Sequence, residues 1–167
     1  KINLAKIDKL GFLGKNTNFQ AFIHCAALTS VLDGANNNST ELLYKNNILS
    51  TLNSLKICNI SKSKFIYISS SRIYSIFEIN KLKFKIKNNR FTLKKNKLSG
   101  ISSKGIKESF STNSPISFYG SSKLICENLV KEYCIFNEIP FLINRCGLLA
   151  GSGQLYKNDQ GIISYWI

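Results

Sequence analysis

The stretch KFIYISSS, residues 64–71, is apolar along most of its length and then runs into serines. An apolar run of that length bounded by small polar residues reads as a buried strand. Upstream lies NNNSTELLYKNNILSTLNSLKICNIS, read as an amphipathic helix. Ser39 is its expected N-cap, Glu41 falls in the first turn, and Leu42, Leu49, Leu52 and Leu55 form its apolar stripe. Before that helix, QAFIHCAAL (residues 20–28) reads as another buried strand ending in small residues. Downstream, SPISFYGSSKLICENLVKEY (residues 114–133) reads as a second long helix, with Leu124, Ile125, Leu129 and Val130 on its apolar side. FLINRCGLLAG (residues 141–151) is a third strand. Strands that are apolar throughout, alternating with helices, predict an α/β protein with a parallel sheet and helices on both faces.

Between Tyr74 and Ser114 this alternation breaks. KLKFKIKNNRFTLKKNKL interleaves lysines with Leu82, Phe84 and Ile86, turns at Asn88-Asn89, and resumes with Phe91 and Leu93. It predicts a hairpin with one apolar and one basic face, within an insertion at about 76–113. Its basic face reads as a solvated outer surface, with a lip meeting a diphosphate as the sharper alternative.

The chain has 167 residues, 44% of them hydrophobic and 19% charged, which suits one domain with a real core. It holds no methionine, so it is read as a piece of a longer protein. No run of 18 apolar residues predicts a membrane span, and no membrane partner is expected. The net charge is +14, from 23 basic and 9 acidic residues, but Arg72, Arg90 and Arg145 are its only arginines. Nucleic-acid readers lean on arginine forks, so the lysine excess is read as compositional, with no nucleic-acid partner. The five cysteines are widely spaced without a C-x-x-C pair, and His24 is the single histidine. That pattern offers no metal site, no disulfide framework and no good serine-protease-type triad; it fits buried thiols in a reducing, cytoplasmic setting.

Ligands of open parallel sheets bind at the carboxyl ends of strands. Three groups fall there: His24 to Ala27, Ser69 to Ser71, and Arg145 to Gly147. Tyr119 and Lys123, four apart, share one helix face beside them. A lysine ammonium near a phenol favours the phenolate, and a serine hydroxyl can hold a substrate oxygen. The set suits oxidation of an alcohol with hydride passing to a dinucleotide. Read alone, Tyr-x-x-x-Lys equally describes a partly buried tyrosine beside a surface lysine.

Taken together and in order, these stretches resemble the extended short-chain dehydrogenase/reductase family, the nucleotide-sugar epimerases and dehydratases. FIHCAA resembles the family's strand end beside the cofactor. NNILSTLNSL resembles its Asn-x-x-Gly-Thr-x-Asn helix, with Ser50 where glycine is usual. FIYISSSRIYS resembles the strand delivering the catalytic hydroxyl, and SFYGSSKLICENLVKEY the Tyr-Gly-x-Ser-Lys helix. INRCGLLAGSGQ resembles the strand and loop that close over the nicotinamide and sugar. The resemblance implies a Rossmann-like, doubly wound fold, of which the first βαβ unit and the C-terminal substrate domain are expected to lie outside residues 1–167. It implies NAD as cofactor, a nucleotide-sugar substrate, and a homodimer for the full-length protein. It assigns Tyr119, Lys123 and Ser70 to catalysis. Ala26, Ala27, Leu28, Asn47, Ser69, Tyr119, Lys123 and Cys146 are assigned to the cofactor, and Ser71, Arg72 and Gln154 to the substrate.

Within that family the nearest likeness is to CDP-paratose 2-epimerase-like proteins, on NRCGLLAGSGQ followed by DQGIISYWI and on the long insertion ending in GIKESF. Family dehydratases carry an Asp-Glu pair just after the catalytic hydroxyl. Ser71 and Arg72 stand there, so oxidation without elimination is expected. The glycine-rich pyrophosphate turn is missing: Gly11 and Gly14 have partial spacing but read as a loop, which leaves NAD against NADP open. A reductase or 4-epimerase on another nucleotide sugar, and a non-catalytic nucleotide-binding remnant, remain alternatives.

Overall fold

The structure, a computed structural model of the chain, describes residues 3–6, 15, 19–29, 37–94, 97–155 and 161–166. Gly11 and Gly14 lie outside the described residues. After a 3-10 turn at Leu4–Lys6 come β1 (Ala21–His24), α1 (Asn37–Ser61) and β2 (Lys64–Ser70). A 3-10 turn (Ser71–Ile73) and α2 (Ile76–Asn80) lead into two small hairpins, β3 (Phe84–Lys87) with β4 (Arg90–Leu93) and β5 (Ile101–Ser102) with β6 (Gly105–Ile106). Then follow α3 (Phe118–Phe136), β7 (Phe141–Cys146) and α4 (Ile162–Trp166). No described helix is long and apolar enough to cross a membrane.

Strands β1, β2 and β7 form one parallel sheet in that spatial order, the α/β arrangement expected from the alternation of strands and helices. Its register sets Phe22 beside Phe65, and His24 beside Tyr67, which in turn neighbours Ile143. These side chains share one face, because alternate residues of a strand do. On that face Leu55 and Cys58 of α1 and Cys126, Val130 and Cys134 of α3 close the core with Phe65, Tyr67 and Ile139. Three of the five cysteines are therefore buried small hydrophobes, and no described cysteine is paired. The opposite face carries Ile23, Ile66 and Leu142 side by side, with Ile23 58% and Leu142 53% exposed.

Both long helices depart from the expected apolar stripes. Helix α1 begins at Asn37, so Ser39 lies inside it rather than capping it, and its first turn holds no acid, Glu41 included. Asn and Ser cap about equally well, so the run Asn36-Asn37-Asn38-Ser39 does not mark one start. Leu42 is exposed, and Leu49 and Leu52 are half-buried, while Asn47, Ser50, Thr51 and Ser54 are buried. In α3, Ile125 is exposed, whereas Ser122, Lys123 and Glu127 are buried. Polar groups can occupy a core face when each finds a partner, and none of the described buried side-chain polar atoms lacks one.

The Lys/Phe/Ile stretch does form a hairpin. Asn88 and Asn89 both take positive φ (51° and 55°), as a two-residue hairpin turn requires. Phe84 and Phe91 meet edge-on on its apolar face, yet Ile86 and Phe91 stay largely exposed. The short helix α2 and the hairpin β5–β6 carry no clear sequence period and were not anticipated.

Candidate active site

The carboxyl ends of β1, β2 and β7 and the start of α3 converge on one side of the sheet. Ser70 ends β2, and its hydroxyl oxygen accepts a 3.1 Å hydrogen bond from the Arg72 backbone N–H, capping the turn Ser71–Ile73. Ser117 caps α3 in the same way, accepting from the Gly120 N–H at 3.0 Å. The next turn of chain is thereby fixed, and it brings Tyr119 near Ser70. Gly120 permits this: a Cβ there would run into the backbone of Arg72. Ser70, Ser71, Arg72 and Tyr74 line a cavity of about 690 Å³, closed by Ile76, Ile79, Ile106 and Glu108 of the insertion and by Arg145 and Gly147.

Burial raises the Tyr119 phenol above its ordinary value, and the Ser70 hydrogen bond and the Arg72 charge only partly offset it. The direction is opposite to that expected from a lysine one turn away, because burial outweighs the nearby positive charge, and that charge comes from Arg72. Lys123 turns elsewhere. It is only 3% exposed, so it is not the surface lysine that chance spacing would give. Its Nζ sits 4.3 Å from the centroid of the Tyr67 ring, and among the described residues no carboxylate forms an ion pair with it. Burial lowers its ammonium to about 8, opposed by Cys126, Glu127, Cys25 and Cys146 around it.

A second cavity, about 710 Å³, opens at the end of β1. Ala26, Ala27 and Leu28 line it with Leu4, Asn46, Asn47 and Ser50. Asn47 is committed to this loop: its Oδ1 accepts from the Leu28 N–H at 2.8 Å and its Nδ2 donates to the Leu28 carbonyl at 3.2 Å. The same Nδ2 donates to Ser122 Oγ at 3.0 Å, and Ser122 donates to the Tyr119 carbonyl at 2.8 Å. One chain of hydrogen bonds thus runs from the loop after β1 to the tyrosine. Ser50 folds its hydroxyl back onto the Asn47 carbonyl, so the side chain that replaces the usual glycine leaves the cavity open. Small side chains around a concave strand end leave room for a flat, extended cofactor.

His24 is spoken for. Ser54 and Thr51 hydrogen-bond its two ring nitrogens, and it stacks on Phe65 and Tyr67. Burial first, and the Lys123 charge second, lower it to about 4, so it is a neutral core histidine at pH 7.

The remaining assigned residues divide. Cys146 ends β7 directly beside Ser70 and is half-buried. Ser69 is buried, and its hydroxyl donates to Glu127 Oε1 at 2.6 Å, which turns it away from either cavity. Gln154 lies on an exposed turn and lines neither cavity. Sequence reasoning passed over Glu127, Ser122 and Gly120. Glu127 had a legible signal, since it falls four residues after Lys123 on the same helix face.

The comparisons agree with this fold. Across residues 1–167 the chain matches the model of the NAD dependent epimerase/dehydratase family. UDP-glucuronic acid 4-epimerase from Bacillus cereus, solved with UDP-glucuronic acid and NAD, superposes with a TM-score of 0.60 at 26% identity, over 86% of this chain and 37% of that one. UDP-glucose 4-epimerase from Thermotoga maritima, solved with UDP-glucose, gives 0.69 at 16% identity, over 99% and 46%. RMD from Pseudomonas aeruginosa, solved with NADPH, gives 0.65 at 24% identity, over 93% and 45%. The last two likenesses speak to the fold alone. The chain spans under half the length of each of these proteins. No curated protein sequence matches it. Its Rossmann-like parallel sheet and the match over its whole length place the chain in the NAD-dependent epimerase/dehydratase family.

Proposed function

We propose that this chain forms the cofactor- and sugar-facing part of an NAD-dependent nucleotide-sugar epimerase, of the CDP-paratose 2-epimerase-like kind. The observation that carries the reading is the approach of Tyr119 to Ser70, which lines the 690 Å³ cavity, with Lys123 buried one turn on. Ala26, Ala27, Leu28 and Asn47 would hold NAD along the cavity at the end of β1, where it would supply the hydride acceptor and donor that inversion of a sugar carbon needs. The chain's own residues supply the rest. Ser70 holds the reacting sugar hydroxyl, and Tyr119 takes its proton and later gives one back. Lys123 fixes the cofactor's ribose, and Arg72 supplies the positive charge near the phenol. Asn47 holds the loop of Ala26, Ala27 and Leu28 against the cofactor, and Cys146 borders it at the end of β7. Ser71 and Arg72 face the nucleotide sugar, and neither offers the acid–base pair that loss of water would need. Gln154 would meet the substrate only if its turn closes over the cavity.

The likeness to the Bacillus cereus UDP-glucuronic acid 4-epimerase favours one second reading, inversion at another carbon of a UDP-sugar. A cytoplasmic homodimer accompanies either reading. The test is epimerisation of CDP- and UDP-sugars with NAD by the complete natural polypeptide that contains this chain, followed by NMR of the inverted carbon. Tyr119→Phe is expected to lower kcat at least 100-fold with NAD still bound. Full turnover in that variant would defeat the assignment.

A further inference from the structure

Glu127 and Arg145 are not among the residues assigned to catalysis, yet they form the most heavily bonded side-chain pair in the described residues. Glu127 is fully buried in α3. Arg145, on β7, donates from Nε to both carboxylate oxygens (3.1 and 3.2 Å) and from Nη2 to Oε2 at 2.8 Å. Ser69, on β2, donates to Oε1 at 2.6 Å. A buried pair of this kind is held only where geometry is good and every lone pair is used, and removing one partner leaves an uncompensated charge.

The third arm of the guanidinium points the other way. Its Nη1 donates to the Glu108 carbonyl at 2.6 Å, and its Cζ lies 5.6 Å from the centroid of the Tyr74 ring. Glu108 belongs to the returning limb of the insertion, which also meets the body at Phe110 against Ile73 and Tyr74 and at the Ser111 carbonyl, which accepts from the Ser75 N–H at 2.9 Å. Ile106 and Glu108 form one wall of the cavity beside Ser70, and Tyr74 another.

We infer that Glu127 and Arg145 act as a positioning pair: the carboxylate fixes the guanidinium, and the guanidinium holds residues 106–111 in place as the insertion-side wall of the sugar cavity. The insertion is thereby part of the substrate site, tied to the sheet and to the helix that bears Tyr119. Arg145 itself lines the sugar cavity, Glu127 lines neither cavity, and neither residue lines the one at the end of β1. The catalytic consequence rests on the epimerase reading above, whereas the seating of the wall does not.

The test compares the complete natural polypeptide with its Arg145→Lys variant. Lysine can keep the charge pair with Glu127 but cannot also reach the Glu108 carbonyl. Amide hydrogen exchange over residues 106–111, without substrate, is expected to quicken about tenfold while exchange in β2 and β7 stays the same. With nucleotide sugar, KM is expected to rise about tenfold, more than kcat falls, and the NAD dissociation constant to hold within twofold. Unchanged exchange over residues 106–111 overturns the proposal, and so does a fall in NAD affinity in step with the rise in KM. If neither protein turns over any nucleotide sugar, the epimerase reading fails while the exchange result still decides the positioning role. Ser69→Ala removes one anchor of Glu127 with both charges intact. It gives a second exchange measurement should Arg145→Lys not fold, with about threefold faster exchange expected and no change overturning the proposal.

Discussion

A Cβ on residue 120 would run into the carbonyl oxygen and the carbonyl carbon of Arg72. Backbone meets backbone, so no rotamer change relieves the contact. Gly120→Ala must push the first turn of α3 away from the turn after β2, and about 1–3 kcal/mol of stability is expected to go with it. Urea midpoints measure this, and an unchanged midpoint would show that the two turns are not held so close.

Lys123 destabilises the fold that it serves. Its ammonium titrates at about 8 when folded, against 10.5 in an open chain. Below pH 8 both states are protonated and the burial penalty stands in full. Between about 8 and 10.5 only the unfolded chain keeps the proton, so stability rises with pH there. Lys123→Met is expected to be more stable at pH 7, by about 3 kcal/mol at most. A less stable variant in chemical denaturation would contradict this.

His24 gives an acid limb of the same origin. Folded, it titrates at about 4, against an ordinary 6.5. Between those values the unfolded chain binds a proton that the folded one refuses, so stability falls as pH drops through 6.5 toward 4. It is the only histidine, so a loss between pH 7 and 5.5 belongs largely to it. Unfolding midpoints at those two pH values check this: His24→Phe should flatten the difference, and a difference that survives it must arise elsewhere.

Asn47 uses its whole amide on Leu28 and Ser122. Asn47→Ala strands a backbone N–H, a carbonyl and a hydroxyl, at about 1–3 kcal/mol. NAD affinity, read by titration calorimetry, is expected to fall about tenfold as the loop after β1 loosens. Lost stability with unchanged NAD affinity would make Asn47 a structural residue only.

The hairpin β3–β4 should tolerate change. Ile86 is 72% and Phe91 81% exposed. Replacing both with threonine is expected to move the melting transition little, by less than about 0.5 kcal/mol, and to raise solubility. A clear loss of stability would show that this face is packed.

The parallel sheet was legible because a strand buried among apolar neighbours, as Phe65 and Tyr67 are, writes its environment into its own composition. The approach of Tyr119 to Ser70 was legible because strand ends and helix spacing place residues without further information. Burial inside α1 and α3 was not. Asn47, Thr51 and Ser54 look like solvent-facing residues, and only the positions of Leu28 and His24, distant in sequence, show why they face inward. The charge acting on Tyr119 was hidden for a related reason. Helical spacing sets Lys123 on the right face, but the Tyr67 ring decides where its ammonium points. Gly120 and Arg145 owe their roles to contacts across 48 and 37 positions of chain, which no local pattern records.

The row Ile23, Ile66 and Leu142 has a calorimetric consequence. Apolar surface that already meets water in the native state contributes nothing when the chain unfolds. Studied by itself, the chain should therefore show a smaller heat-capacity increment and a shallower denaturant slope than its length implies, below about 12 cal/mol/K per residue. Anything that covers that row would restore both.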